Sequence, residues 1–294
     1  MIKYGNQHVD ERYSSIFEPN LFTNAWLVPG ATFTNKYMEG PAGSLYVHKL
    51  KGVAAVAPGT PGRDFSHTAT QDDLIQIALN NNFQKSRKIY GVQAAAVSAA
   101  LANENLAAAV QEIREGREYS ALACLITEGT ASTNTTALTA ANIKAEILKE
   151  RAALSKANGK ANVILCSPDT YALILTAAGA EFTPVRNEKI QLAGQVGEWY
   201  GFTIIECNQL ASSSAITYFD YAGGTAKSVT AATLGTVDFI MYYSEALSVV
   251  DNLNAMRLLD NVADFVGTLA QVEVNTGFRL TNAALARVRK HAAA

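Results

Sequence analysis

Apolar residues follow two spacings along this chain. In LYVHKL (Leu45 to Leu50) and LIQIAL (Leu74 to Leu79) they run at strand period, with Ile75, Ile77 and Leu79 on one face. Two short strands are predicted. The stretch between them, VAAVAPGTPGRDFSHTATQD (Val53 to Asp72), is about twenty residues rich in Pro, Gly, Ser and Thr, so the strands form a long protruding hairpin. A loop of that length usually carries a function.

From Val92 to about Ile126 the chain turns alanine-rich, and Val97, Leu101, Ala108, Ile113 and Leu122 fall at helical spacing. This predicts one long helix or two abutting ones, with Gly116 as the weak point. A second helix runs from Asn142 to Lys156, with Ile143, Ile147 and Leu154 inward, and stops at Asn158-Gly159 as a left-handed end. The pattern then alternates. NVILC (Asn162 to Cys166) is a buried strand, and Ser167-Pro168-Asp169 opens a helix with an N-cap hydroxyl, a first-turn proline and an acid near the helix dipole. Further strands are predicted at Phe202 to Cys207, Ala215 to Tyr221 and Asp238 to Tyr243. In QVEVNTGFRL, Val272, Val274, Thr276, Phe278 and Leu280 share one face, which predicts a long strand with one wet side.

Residues 1 to about 40 read as an extended arm. Its apolar residues, among them Phe17, Phe22 and Trp26, are irregularly spaced between prolines and call for another surface to cover them. Composition narrows the function classes. The 294 residues are 49% hydrophobic, enough for a sizeable core, and the net charge of −2 with scattered Lys and Arg gives no global attraction to nucleic acid. Cys124, Cys166 and Cys207 lie far apart, two of them inside apolar runs, which suits buried thiols and a reducing compartment. No stretch has the length and apolarity of a signal peptide or a membrane span, so a soluble, cytoplasmically made protein is expected.

Most chemical motifs fail. GGTAKS (Gly223 to Ser228) has Ala226 where a phosphate-binding loop needs glycine, the four histidines lack metal-ligand spacing, and no G-x-S-x-G, H-E-x-x-H or C-x-x-C occurs. The pair Asp72-Asp73 reads as a solvated turn, and Lys85, Arg87 and Lys88 as charges facing water or a neighbour's acids. In GQVGEWYGFTIIECNQL a β-branched run follows the glycines, the reverse of a dinucleotide fingerprint, so Gly194, Gly197 and Gly201 are assigned to tight turns feeding a strand. No catalytic residue, cofactor or metal is nominated.

The order of these parts resembles the major capsid proteins of tailed bacteriophages. NVILCSPDTYALILTAAG followed by KIQLAGQVGEWYGFTIIECNQL is similar to the family's strand, Ser-Pro-initiated helix, glycine-marked segment and strand, and GTLAQVEVNTGFRLTNAALARVRK looks like its closing strand ending in a short helix. The resemblance implies an α+β fold with an N-terminal arm (1–40), an extended β-hairpin loop with flanking strands (41–90), a peripheral domain with a spine helix (91–158 and 251–294) and a compact α/β axial domain (159–250). It implies a structural, non-enzymatic subunit that assembles with itself into capsomers and an icosahedral shell around double-stranded DNA, held by proximity alone. The shell would be built in the host bacterial cytoplasm and would end as the virion capsid. Forty residues before the hairpin hold no long scaffolding segment, so a separate scaffolding protein, or none, is implied, with a portal a further expected partner, and no membrane. Candidate inter-subunit contacts are Phe17, Phe22 and Trp26 in the arm and Val53, Val56, Arg63, Asp64 and Phe65 in the hairpin. An encapsulin-like compartment shell has the same fold, and a soluble α+β enzyme with a site assembled from distant residues is a rival of another class.

Overall fold

The computed structural model describes residues 26–37, 44–50, 72–90, 101–156, 159–178, 183–184, 195–220, 225–260 and 266–292. The strands are β1 (Ser44–Leu50), β2 (Asp72–Ala78), β3 (Asn81–Tyr90), β4 (Thr130–Ala131), β5 (Val163–Cys166), β6 (Thr183–Pro184), β7 (Gln195–Trp199), β8 (Phe202–Glu206), β9 (Ile216–Phe219), β10 (Ala226–Val229), β11 (Val237–Tyr242), β12 (Leu247–Asp260), β13 (Gly267–Leu280) and β14 (Ala286–Lys290). The helices are α1 (Leu101–Glu128), α2 (Ile143–Lys156), α3 (Pro168–Ala178) and the short α4 (Ala231–Gly235).

Seven strands form one mixed sheet in the order β4-β14-β11-β5-β8-β7-β6. Its inner strand β11, VDFIMY, is buried at every residue, because helices cover both faces. On one face the last turns of α1, Ala121 to Ile126, pack on Val163, Leu165, Ile205, Ile240 and Val288. On the other, Ile143, Ile147 and Leu154 of α2 and Ile174 of α3 pack on Ile164, Ile204, Phe239 and Met241. Alternate residues of each strand thus serve opposite cores. The Ser167 hydroxyl accepts from the Thr170 N–H at 3.3 Å, the cap expected of Ser-Pro-Asp. Helix α2 packs on this sheet and strand β14 pairs within it.

A second sheet, β12-β13-β3, lies under α1. Strands β12 and β13 form a ribbon from Leu247↔Leu280 to Asp260↔Thr268, and Val272 and Val274 meet Ala109 and Ile113 of α1. Strands β1 and β2 pair antiparallel in full register from Ser44↔Ala78 to Leu50↔Asp72, the predicted hairpin base. The hairpin sits on β13 where Gly277 leaves room: a Cβ there would stand 2.7 Å from Ala78 O and 2.8 Å from Ile77 Cγ2.

Several expectations need correction. Residues 81–90 are a strand, and Lys85 and Arg87, while still partly exposed, bind Glu112 of α1 in the same chain, Lys85 Nζ at 2.8 Å from Oε2. Asp72 and Asp73 begin β2 instead of forming a turn. Helix α1 passes through Gly116 unbroken. After β13 the chain makes a 3₁₀ turn, Ala283–Leu285, and then the strand β14 in place of a closing helix. The Gly159 N–H bonds to Leu154 O at 2.8 Å just past α2, and Asn158 of the expected left-handed stop lies outside the described residues.

Candidate functional site

The three cysteines are buried and free, and burial pushes the Cys207 thiol up to about 12. They offer no nucleophile. Among the described residues no group of three or more His, Cys, Asp or Glu could hold a metal ion, and no helix is long and apolar enough to cross a membrane.

The glycine segment is a turn. Trp199 pairs with Phe202 across Tyr200 and Gly201, whose φ values are 53° and 77°, the two-residue loop that matches the twist of paired strands. Gly197 pairs with Ile204 beside a bulge that begins at Gln195. Gly194 lies outside the described residues, as do Phe17, Phe22, Val53, Val56, Arg63, Asp64 and Phe65.

Trp26, expected to await a neighbour, is instead fully covered by its own chain, in the core that α1 shares with the seven-stranded sheet. A local turn holds it there. The Val28 N–H donates to Thr32 Oγ1 at 2.8 Å, the Thr32 N–H to Val28 O at 3.0 Å, and Gly30 takes φ 77°. Thr34 then joins the start of β12, its N–H on Leu247 O at 2.9 Å and its carbonyl receiving the Val249 N–H at 3.1 Å. Residues 26–34, the root of the expected arm, are thus tied to β12 by backbone hydrogen bonds.

Part-buried ion pairs tie the three-stranded sheet to α1. Arg117 Nη2 reaches both oxygens of Asp251 at 2.7 and 2.9 Å, at the β12 bulge, and Thr276 donates to the same carboxylate. At the end of α1, Glu128 Oε1 accepts from Arg279 at 2.8 Å and Tyr218 at 3.0 Å, while Oε2 takes the Leu280 N–H at 2.8 Å. Burial alone would raise Glu112, but hydrogen bonds from Lys85 and Arg87 outweigh it and hold its carboxyl below the usual range. A third cluster fastens the C-terminal strand: fully buried Arg289 lies 3.7 Å from Glu146 and 3.8 Å from Asp238, and His291 Nδ1 is 2.7 Å from Asp238.

What remains uncovered is apolar surface. Tyr46 and Leu74, 54% and 59% exposed, lie on the hairpin face opposite Val47 and Ile77. Met256, Leu258 and Val266 stand out on the distal half of the β12–β13 ribbon, and a groove of about 420 Å³ lined by Leu27, Val110, Ile113, Met256, Val272 and Val274 runs between that ribbon and α1. Such patches on a hairpin and a sheet edge suit contacts with other chains. Sequence reasoning missed this ribbon surface, because β12 has no clean alternation: Asp251-Asn252 interrupts it at the bulge.

No family model matches the chain, and no curated protein matches it. Solved structures do. A chain from Mycobacterium phage Che8 aligns over 97% of this chain and 98% of its own, at 15% identity and TM-score 0.65. The capsid structure of the Cyanophage P-SCSP1u aligns over 97% and 94% at 13% identity and TM-score 0.70, and the capsid of an empty GTA particle over 97% and 96% at 15% identity and TM-score 0.60. The chain has the tailed-phage major capsid fold, an α+β architecture, over nearly its whole length.

Proposed function

We propose that this chain is a structural subunit of a tailed-phage capsid, assembling with itself into capsomers and a closed shell around double-stranded DNA, with no catalytic centre. The observation that carries the reading is the reciprocal coverage: the capsid structure of the Cyanophage P-SCSP1u aligns over 97% of this chain and 94% of its own. The uncovered apolar face of the hairpin, Tyr46 and Leu74, fits a subunit that drapes this element over an adjacent copy, while the α/β unit meets its copies at capsomer centres. Phe17, Phe22, Val53, Val56 and Phe65 are proposed contacts in the same interfaces, with Arg63 and Asp64 at the rim. Near-neutral charge suits a wall that must not bind its packaged genome tightly. A scaffolding protein, a portal and assembly in the host cytoplasm complete the proposal. Isolating particles from cells and measuring their nucleic acid tests it: nuclease-protected double-stranded DNA supports a capsid, and empty or enzyme-filled particles point to a compartment shell.

A further inference from the structure

Three elements meet on one carboxylate. Glu118, halfway along the inner length of α1, is 2% exposed, and Gln209 from the 3₁₀ turn Asn208–Ala211 donates to its Oε2 at 2.9 Å. From the arm root, the backbone N–H groups of Trp26 and Leu27 face the same carboxylate. Glu118 therefore joins the arm, the long helix and the α/β unit at a single buried point.

The junction is poorly compensated for a charge. Arg114 Nε stands 3.8 Å from Oε1, its side chain is half exposed, and Oε1 has no hydrogen-bond partner. The other titratable groups facing it are Glu115 and Tyr119 on α1 and Cys207 after β8, none of them a cation. The arm root and the 3₁₀ turn contribute only neutral donors. Elsewhere in this chain a buried carboxylate meets arginine closely, as Glu150 meets Arg287 at 3.0 Å. Glu118 is built differently.

We propose that Glu118 is a protonation latch: the neutral carboxyl holds the arm root and the α/β unit against α1, and ionisation loosens that junction. Burial, opposed by Arg114 and the two backbone donors, pushes the Glu118 carboxyl up to about 7. Because the folded value lies above the unfolded one, the native state binds the extra proton. That stabilisation is complete below about 4.5 and is lost as pH rises through about 7. The latch thus releases across neutrality, at the first described residues of the chain.

Hydrogen exchange on the dissociated full-length subunit tests this whether or not the chain forms capsids. Protection factors for Trp26 to Thr34 and Cys207 to Ala211 should fall between pH 5.5 and 8.5, by up to on the order of a hundredfold. In Glu118→Gln the two pH values should give equal protection. The same fall in Glu118→Gln, or none in the wild type, overturns the proposal. Should Glu118→Gln fail to fold, Gln209→Leu, which removes a donor to the ionised form, must move the midpoint to higher pH; an unmoved midpoint rejects the latch.

Discussion

The ring of Phe83 occupies the space that a side chain on Gly116 would need: a Cβ at Gly116 would lie 3.3 Å from Phe83 Cδ1. This glycine is therefore not a break in α1 but the place where β3 presses closest to it. The same ring stands edge-on to Phe278 of β13, with centroids 6.3 Å apart. Gly116→Leu should overpack this contact and cost about 1–3 kcal/mol, and adding Phe83→Ala should recover part of the loss. Denaturant unfolding of the two single variants and the double variant measures the coupling, and strictly additive losses would dissociate Phe83 from the glycine's role.

At Gly201 the constraint is in the backbone alone. Its φ is 77° and a Cβ would meet nothing within 4 Å, so Gly201→Val should lose about 1–2 kcal/mol through strain, while Gly201→Asn should lose less than half of that. Thermal unfolding of both variants checks the order. Equal losses would mean that side-chain volume, not φ, sets the cost.

Glu128 gathers three donors where α1, β9 and β13 converge, and it is almost fully buried. Glu128→Ala should destabilise by about 3–5 kcal/mol, because it strands the Arg279 guanidinium and the Leu280 N–H. By contrast Lys36 and Glu245, a 3.5 Å pair with both side chains about half exposed, should contribute less than about 1 kcal/mol in a double-mutant cycle.

The cysteines supply a chemical test of the core. All three are buried, and burial pushes their thiols well above the ordinary range. At pH 6, below the release of the Glu118 junction, a thiol reagent should label none of them in the native subunit and three in denaturant. Fast native labelling of Cys207 would mean that the core beneath the arm root is open.

The hairpin and the α/β unit were legible because their signals are local. Strict alternation marks β2, and Ser167-Pro168-Asp169 announces α3 before any contact is known. Strand β3 was hidden, since Lys85 and Arg87 are strand residues whose partner, Glu112, lies on α1, 25 or more residues away. Strand β12 was hidden by its bulge. Trp26 was misplaced for a related cause: an irregular apolar spacing shows that a residue needs cover, and only the fold shows that its own chain provides it.

If the hairpin drapes over a neighbour, a charge on its outer face should block assembly without unfolding the subunit. Tyr46→Asp combined with Leu74→Asp should leave the unfolding midpoint of the isolated subunit nearly unchanged, since both side chains are more than half exposed. Particle yield from cells should fall at least tenfold. Normal particles from this variant would take the hairpin's outer face out of the assembly mechanism.

Electron microscopy of the expressed chain, alone and with a scaffolding partner, addresses the central claim most directly. Closed shells of uniform diameter, or rings of subunits that convert to shells on adding scaffold, are the result this account predicts. A monodisperse monomer at high concentration under both conditions, confirmed by sedimentation velocity, would contradict it.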